Sequence, residues 1–333
     1  MGDPSGIGPE ISVKALSNPA IYDVCRPILI GNHGVLLRAL SYCNMEHDFK
    51  LHTISAPEEA LFQFGTIDVL SIDSEELDAI PPGTLCAQCG DAAFSYVKTA
   101  ILLAMEHRLD ATVTNPLNKE ALNLSGHSFS GHTEIYAHYT KTKKYTMMLA
   151  HENLRVVHVS THVSLRDACD RVKKDRVLEV IRIAHETCKK LGITCPKVGV
   201  AGLNPHCGEG GLFGTEEIEE ITPAILLAKE EGIDVIGPIP PDTIFSKARG
   251  GWYDIVVAMY HDQGHIPLKV SGFVYNQQEK KWESVSGVNV TLGLPIIRTS
   301  VDHGTAFDQA GTGAASEQSL LNAIEYAVLM AKH

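Results

Sequence analysis

The sequence predicts an α/β fold built on a mostly parallel sheet. Two observations carry that expectation. Short β-branched runs alternate with helical patterns along nearly all of the 333 residues. In the longer segments apolar residues recur at helical spacing, as Val177, Val180, Ile181, Ala184 and Cys188 do between positions 172 and 191. Strands separated by helices of this length make βαβ units.

Taken in order, the strand candidates are "PILIG" (27–31), "FKLHTIS" (49–55), "IDVLSI" (67–72), "DATVTN" (110–115), "VVHVST" (156–161), "KVGVAGL" (197–203), "DVIGP" (234–238) and "YDIVVAMY" (253–260). Helices are expected over 9–17, 33–43, 91–107, 117–124, 131–140, 172–191, 215–231 and 316–331. "TMMLAHENLRVVHVST" departs from the pattern: two strand-like runs flank a polar turn at Glu152–Asn153, which predicts an antiparallel hairpin. "NQQEKKWES" (276–284) is the most polar stretch and reads as an exposed insertion or hairpin tip. In the opening "MGDPSGIGPE", Gly2, Gly6 and Gly8 lack the spacing of a dinucleotide fingerprint, and Pro9–Glu10 suits a first helical turn.

Composition narrows the function. A chain this long, 44% hydrophobic and 20% charged, can bury a large core and predicts two subdomains. No apolar run is long enough to span a bilayer and no signal peptide is evident, so a cytoplasmic protein is expected. The eight cysteines are scattered and read as reduced thiols. "CAQCG" (86–90) is a lone CxxC without the second pair a zinc site needs, and reads as structural. A net charge of −12 weighs against nucleic acid and anionic membranes as partners, yet local cations can still hold a small anion.

In open α/β sheets ligands bind beyond the carboxyl ends of the strands. Three of those ends deliver a histidine: His162, His206 and His261. Three imidazoles with open positions suit a catalytic divalent metal, whereas independent loop residues or helix caps would satisfy the same pattern. Lys119, Lys269 and Arg298 are expected near strand ends, where cations can bind phosphate or carboxylate. "GHTE" (131–134) places His132 and Thr133 at a helix start, an anion site or a plain cap.

Together "MGDPSGIGPE", "TNPLNKE", "GHTE", "STH", "NPHCGEGG", "PPDT", "MYHDQGHIPLK" and "GVNVTLGLPIIRTSVDHGTAFD" resemble, in order over essentially the whole chain, the 4-hydroxythreonine-4-phosphate dehydrogenase family of vitamin B6 synthesis. "HVSTH" and "GHIPLK" look closer to its 4-phospho-D-threonate 3-dehydrogenase and phospho-erythronate branch. "GIGPE" and "HGTAFDQAGTG" distantly resemble the isocitrate and isopropylmalate dehydrogenases.

The resemblance implies that fold: two α/β/α subdomains with the active site in the cleft between them. Residues 1–128 with 290–333 would form the cofactor side, and 129–289 the metal-binding and dimerisation side. It implies a homodimer whose metal ligands His162, His206 and His261 come from both subunits. It makes His132, Thr133, Lys269, Asn289 and Arg298 substrate contacts, and places His303, Gly304 and Thr305 in the NAD or NADP loop. Asp242 or Lys119 would take the hydroxyl proton.

The implied reaction is oxidation of a secondary alcohol beta to a carboxylate, then decarboxylation, with a small phosphorylated hydroxy acid as substrate. Zinc, magnesium, manganese or cobalt could serve as the metal. The B6 enzyme and a dihydrodiol carboxylate dehydrogenase are the alternatives. Three features depart from the family: no strand precedes "GDPSGIGPE", the 272–287 stretch is longer and expected to be decoration, and Cys207 follows His206 as an extra soft ligand or a buried small side chain.

Overall fold

The computed structural model describes residues 1–72, 74–278, 281–285 and 287–333. The chain divides into two compact units: Met1–Lys143 with Leu294–Val328, and Lys144–Gly293 with Leu329–His333.

The first unit runs α1 (Gly8–Leu16), α2 (Pro19–Val24), β1 (Leu29–Gly31), α3 (His33–Tyr42), β2 (Lys50–Ile54), β3 (Thr66–Ser71), α4 (Glu75–Asp78), α5 (Ala87–Met105), β4 (Ala111–Thr114), α6 (Lys119–Leu124) and α7 (His132–Tyr139). The second holds β5 (Thr146–His151), β6 (Leu154–His158), α8 (Leu165–Asp170), α9 (Lys174–Lys190), β7 (Val198–Ala201), α10 (Thr222–Glu230), β8 (Val235–Ile239), α11 (Pro241–Arg249), β9 (Ile255–Ala258), α12 (His261–Gly272), β10 (Phe273–Asn276), β11 (Lys281–Val285) and β12 (Val288–Leu292). The chain then returns to the first unit with β13 (Ile297–Val301), and α13 (Gln318–Ala331) follows.

In the first unit β1, β3 and β2 form a parallel three-stranded sheet, and β4 pairs in parallel with β13, Arg298 opposite Thr112. Leu36, Leu40, Ile67, Val69 and Leu77 are fully buried in one core. Asparagine caps set helix starts here: Asn32 accepts from the Val35 N–H (2.9 Å), and Asn118 from those of Glu120 (2.9 Å) and Ala121 (3.0 Å). Helices α5 and α6 touch backbone to backbone, since a Cβ at Gly90 would fall 2.1 Å from the Ala121 carbonyl oxygen. The long β2–β3 connection is pinned by buried Asp68, whose carboxylate accepts from His52 Nδ1 (2.7 Å) and the N–H groups of Leu61 (3.0 Å) and Phe62 (2.8 Å).

In the second unit the strand order is β12-β5-β6-β9-β7-β8. The β12–β5 and β5–β6 pairs are antiparallel, so the expected hairpin at Glu152–Asn153 forms; β6–β9, β9–β7 and β7–β8 are parallel. Strands β7 and β9 are buried at every position, which requires their unbroken apolar runs. Helix α9 covers the sheet with Val177, Val180, Ile181 and Ala184 and turns its charged residues outward.

Three expectations need correction. The loop expected after β9 is instead α12, whose buried positions Gly264, His265, Leu268 and Gly272 share a helical face despite Pro267. Lys269 therefore sits in a last helical turn, away from the end of β9, whereas Arg298 is the second residue of β13, near the amino end of that strand. Helix 215–231 is divided into a π-helical turn, Glu217–Ile221, and α10. In the polar insertion β10 and β11 pair antiparallel and Gln277 and Gln278 are exposed, while 279, 280 and 286 lie outside the described residues.

Four histidine rings form a chain of neighbours in the second unit. His158 and His265 lie 4.7 Å apart, His265 and His261 3.6 Å apart and nearly parallel, and His261 and His162 6.0 Å apart. Gly264 makes the approach possible, since a Cβ there would lie 2.3 Å from His158 Nε2. Burial, helped by neighbouring His265, pushes the His158 pKa down to about 3. The unfolded chain, with an ordinary value of 6.5, binds a proton that the folded chain refuses, so stability falls as pH drops from about 6.5 toward 3. His158→Leu should flatten this acid-side loss, seen as a shallower fall of melting temperature with pH than in the unmodified chain.

Candidate active site

The second unit builds one set of candidate residues. Beyond β7 the backbone turns left-handed through His206 (φ 51°), Cys207 (57°), Gly208 (80°), Glu209 (44°) and Gly210 (67°). Each L-residue there costs roughly 1–2 kcal/mol, so something must hold the turn. Buried Glu217 does so: its carboxylate accepts from the N–H groups of Leu203 and Asn204 (both 2.7 Å) and from Asn204 Nδ2 (2.9 Å). The Cys207 sulfur packs over Gly202, and burial with nearby Glu217 pushes its thiol up to about 11. Cys207 is a half-buried side chain.

His261 opens α12, and its Nδ1–H donates to Asp262 Oδ1 (2.7 Å), leaving Nε2 as the lone-pair nitrogen. Gln263 fixes this helix start, accepting from the Met259 N–H (2.6 Å) and donating to the Gly202 carbonyl (2.8 Å). The His162 and His261 ring centres lie 6.0 Å apart, wider than the roughly 5 Å of two imidazoles on one tetrahedral metal with normal metal–nitrogen bonds, so the pair would have to close slightly around one. His206 is not gathered with them: among the described residues no three His, Cys, Asp or Glu side chains form a metal-ligand group. Asp242 is exposed in the first turn of α11. Asn289 lies on β12, its Nδ2 3.0 Å from Met147 Sδ and its Oδ1 buried without a partner.

The first unit builds a second set. Arg298 is buried beside the Tyr136 ring (5.7 Å) and donates to Thr114 Oγ1 (2.8 Å). Burial lowers its pKa to about 10, which leaves it cationic at neutral pH. His132 and Thr133 begin α7, after Gly131, with no side-chain cap. Burial and then the Arg298 charge hold His132 well below 6.5, so the ring is neutral, and its buried Nε2 has no partner. Lys119 opens α6 near Gly131, whose Cβ would stand 3.7 Å from the lysine Cε.

Two loops that look unrelated in the sequence are bound together here. The Ile7 N–H donates to the Thr305 carbonyl (3.0 Å). Glu10 accepts from the N–H groups of Gly311 and Gly313, and Lys14, one turn on, donates to the Ala315 carbonyl (2.7 Å). In the same loop His303 Nδ1–H donates to the Gly304 carbonyl (3.0 Å), burial lowers its pKa, and its Nε2 is buried without a partner. A Cβ at Gly304 would meet nothing within 4 Å. An orphaned ring nitrogen beside an open glycine fits a cofactor loop.

The model of the family described as pyridoxal phosphate biosynthetic protein PdxA matches residues 23–327. The chain belongs to the PdxA family. It is 48% identical over 327 residues to a protein of Cupriavidus necator named D-threonate 4-phosphate dehydrogenase, covering 97% of this chain and 93% of that one. A 4-hydroxythreonine-4-phosphate dehydrogenase structure from Klebsiella pneumoniae matches with a TM-score of 0.86 at 44% identity, over 99% of this chain and 98% of the other. A terephthalate 1,2-cis-dihydrodiol dehydrogenase from Burkholderia xenovorans matches with a TM-score of 0.67 at 31% identity, over 99% and 96%. The fold of this PdxA-family chain is that of these dehydrogenases.

Sequence reasoning missed Glu217, Gln263 and Glu10, which hold loops through backbone groups. The only local signal was a carboxylate or amide near the start of a helical stretch, which is commonplace. Glu217→Ala should leave the protein folded by circular dichroism and lower kcat/KM about 10–100-fold, the usual effect of losing a residue that orients a ligand loop. Unchanged kcat/KM would mean that the turn holds itself.

Proposed function

We propose that the chain is a metal-dependent NAD(P) dehydrogenase that oxidises a 4-phosphorylated 3-hydroxy C4 acid, 4-phospho-D-threonate or phospho-erythronate, and releases carbon dioxide and dihydroxyacetone phosphate. The observation that carries this reading is the 48% identity, over 97% of the chain, to a D-threonate 4-phosphate dehydrogenase. Hydride leaves carbon 3 for the nicotinamide, and the hydroxyl proton goes to a base. The resulting beta-keto acid loses its carboxyl group as carbon dioxide.

Each residue set has a part in the proposal. Arg298, held rigid by Thr114 and Tyr136, offers a fixed fork to a phosphate or carboxylate. His132 is neutral and can donate or accept a hydrogen bond to the same substrate without adding charge. Thr133, Lys269 and Asn289 complete the contacts, and orientation by such contacts lowers the barrier. His303, Gly304 and Thr305 would hold the nicotinamide cofactor. His162 and His261 fit as two ligands of a divalent metal, and His206, on its held turn, would serve the shared site of a homodimer. A bound metal would polarise the hydroxyl and ketone oxygens. Asp242 and Lys119 are the two candidate bases. The proposed setting is the cytoplasm; among the described residues no helix is long and apolar enough to cross a membrane.

The deciding experiment is a panel of 4-phosphorylated C4 acids, 4-hydroxythreonine 4-phosphate and an unphosphorylated cis-dihydrodiol carboxylate, each with NAD and NADP, with and without added zinc, magnesium, manganese or cobalt. The phosphorylated hydroxy acids should reduce the cofactor fastest. Faster turnover of the amine-bearing substrate would move the chain to the B6 reaction, and turnover of the dihydrodiol alone would remove the phosphate. His206→Ala should abolish metal-dependent reduction, and full activity in metal-free buffer would end the metal's part. Arg298→Lys should raise KM about 10–100-fold, matching the roughly 1.5–3 kcal/mol of a charged hydrogen bond; an unchanged KM would remove Arg298 from the substrate.

A further inference from the structure

The connection from β13 to α13, residues 302–317, carries neither helix nor strand. Connections of that length without regular structure are uncommon inside a compact unit and are usually functional. This one contains His303, Gly304 and Thr305. Directly after them comes a strained point: Ala306 has a φ of 43°. An L-residue stays in the left-handed region only where its surroundings determine it. Here the surroundings come from α1 and the turn before it.

Glu10 and Lys14 stand one turn apart on α1 and share a face of that helix. Both reach the same stretch of loop backbone. The Glu10 carboxylate is 2% exposed; its Oε1 accepts from the Gly311 N–H and its Oε2 from the Gly313 N–H (2.7 Å). The Lys14 ammonium donates to the carbonyls of Gly313 and Ala315, the second at 2.7 Å. The anion thus takes backbone donors and the cation takes backbone acceptors. Such charge-assisted bonds are roughly twice as strong as neutral ones. Gly313 has no room to shift: its φ is 69°, and a Cβ there would lie 2.2 Å from the Tyr42 carbonyl oxygen. At the other end the Ile7 N–H holds the Thr305 carbonyl (3.0 Å), and Ala306 packs against the core that contains Ile7 and Ile11. Thr305 opens the held span, and His303 and Gly304 lie immediately before it.

We propose that Glu10 and Lys14 are positioning residues for the nicotinamide cofactor: by fixing the backbone from Gly311 to Ala315 they keep the His303–Thr305 loop in its binding form and set its affinity for NAD or NADP. The inference rests on the dehydrogenase reading and gives neither residue a contact with cofactor or substrate. Without either side chain the loop must be ordered when the cofactor binds, and the cost of that ordering is subtracted from the binding energy. The weakening falls on the cofactor, because the phosphorylated acid is assigned to other residues.

The test titrates the full chain and its variants with NADH and with NADPH, followed by nicotinamide fluorescence. The KM for the oxidised cofactor and the KM for 4-phospho-D-threonate are then measured separately. Glu10→Gln puts an N–H donor where one acceptor oxygen stood, and Lys14→Met keeps the apolar stem but removes the ammonium. Each should raise the cofactor Kd and KM about tenfold, as expected for the loss of one charged hydrogen bond, and leave the KM of the acid unchanged. Lys14→Arg, which restores a charged donor, should return the cofactor Kd to that of the unmodified chain. Lys14→Met decides the matter if Glu10→Gln does not fold. An unchanged cofactor Kd in folded Lys14→Met, or an equal rise in both KM values, would overturn the inference and leave the dehydrogenase reading in place. An unmodified chain that binds neither NADH nor NADPH would overturn both.

Discussion

The carboxylate of Glu217 holding the Leu203 and Asn204 amides is the contact on which the His206 loop depends. Parallel strands deliver their connections to one end, but a connection has no ladder to hold it. Here the backbone is turned left-handed over five residues, three of them bearing side chains, and that conformation persists only where the surroundings determine it. A buried carboxylate that accepts backbone N–H groups is well suited to this, because charge-assisted bonds are strong and their geometry leaves little slack.

The same device recurs. Asp68 pins the β2–β3 connection through Leu61 and Phe62, and Glu10 binds the Gly311–Gly313 turn to α1. With Ile7 bonded to Thr305, the opening glycine loop and the His303–Thr305 loop form one body in the first unit. "MGDPSGIGPE" therefore acts as a brace for a distant loop. Within it Asp3 accepts from the Ser5 N–H (3.0 Å), and the Ser5 hydroxyl donates to the Thr84 carbonyl (2.7 Å). Each acid is buried and accepts from backbone N–H groups, and Asp68 also takes the ring N–H of His52.

The histidines divide by environment. His132, His158, His265 and His303 are held below their ordinary pKa by burial, so they are neutral hydrogen-bonding or packing groups at neutral pH. His261 keeps its Nδ1–H on Asp262 and can present a lone pair. In an acidic chain the cations that matter are few: Arg298 stays charged although buried, because an arginine can lose much of its hydration and still hold its proton.

Local pattern determined much of this. The β-branched runs, the α9 periodicity, the Glu152–Asn153 hairpin and the histidines that follow β7 and β9 were all legible, because burial on one or both faces imposes a period that survives in the sequence. Long ordered motifs also carried the family. Helix α12 was not legible, since Pro267 and two buried glycines imitate a loop, and the reason for Gly264 appears only when His158 lies against it. Tertiary structure alone decided that Glu217 holds the His206 turn and that Glu10 reaches Gly311. These are contacts between a side chain and distant backbone, and such pairings leave no periodic trace in the chain.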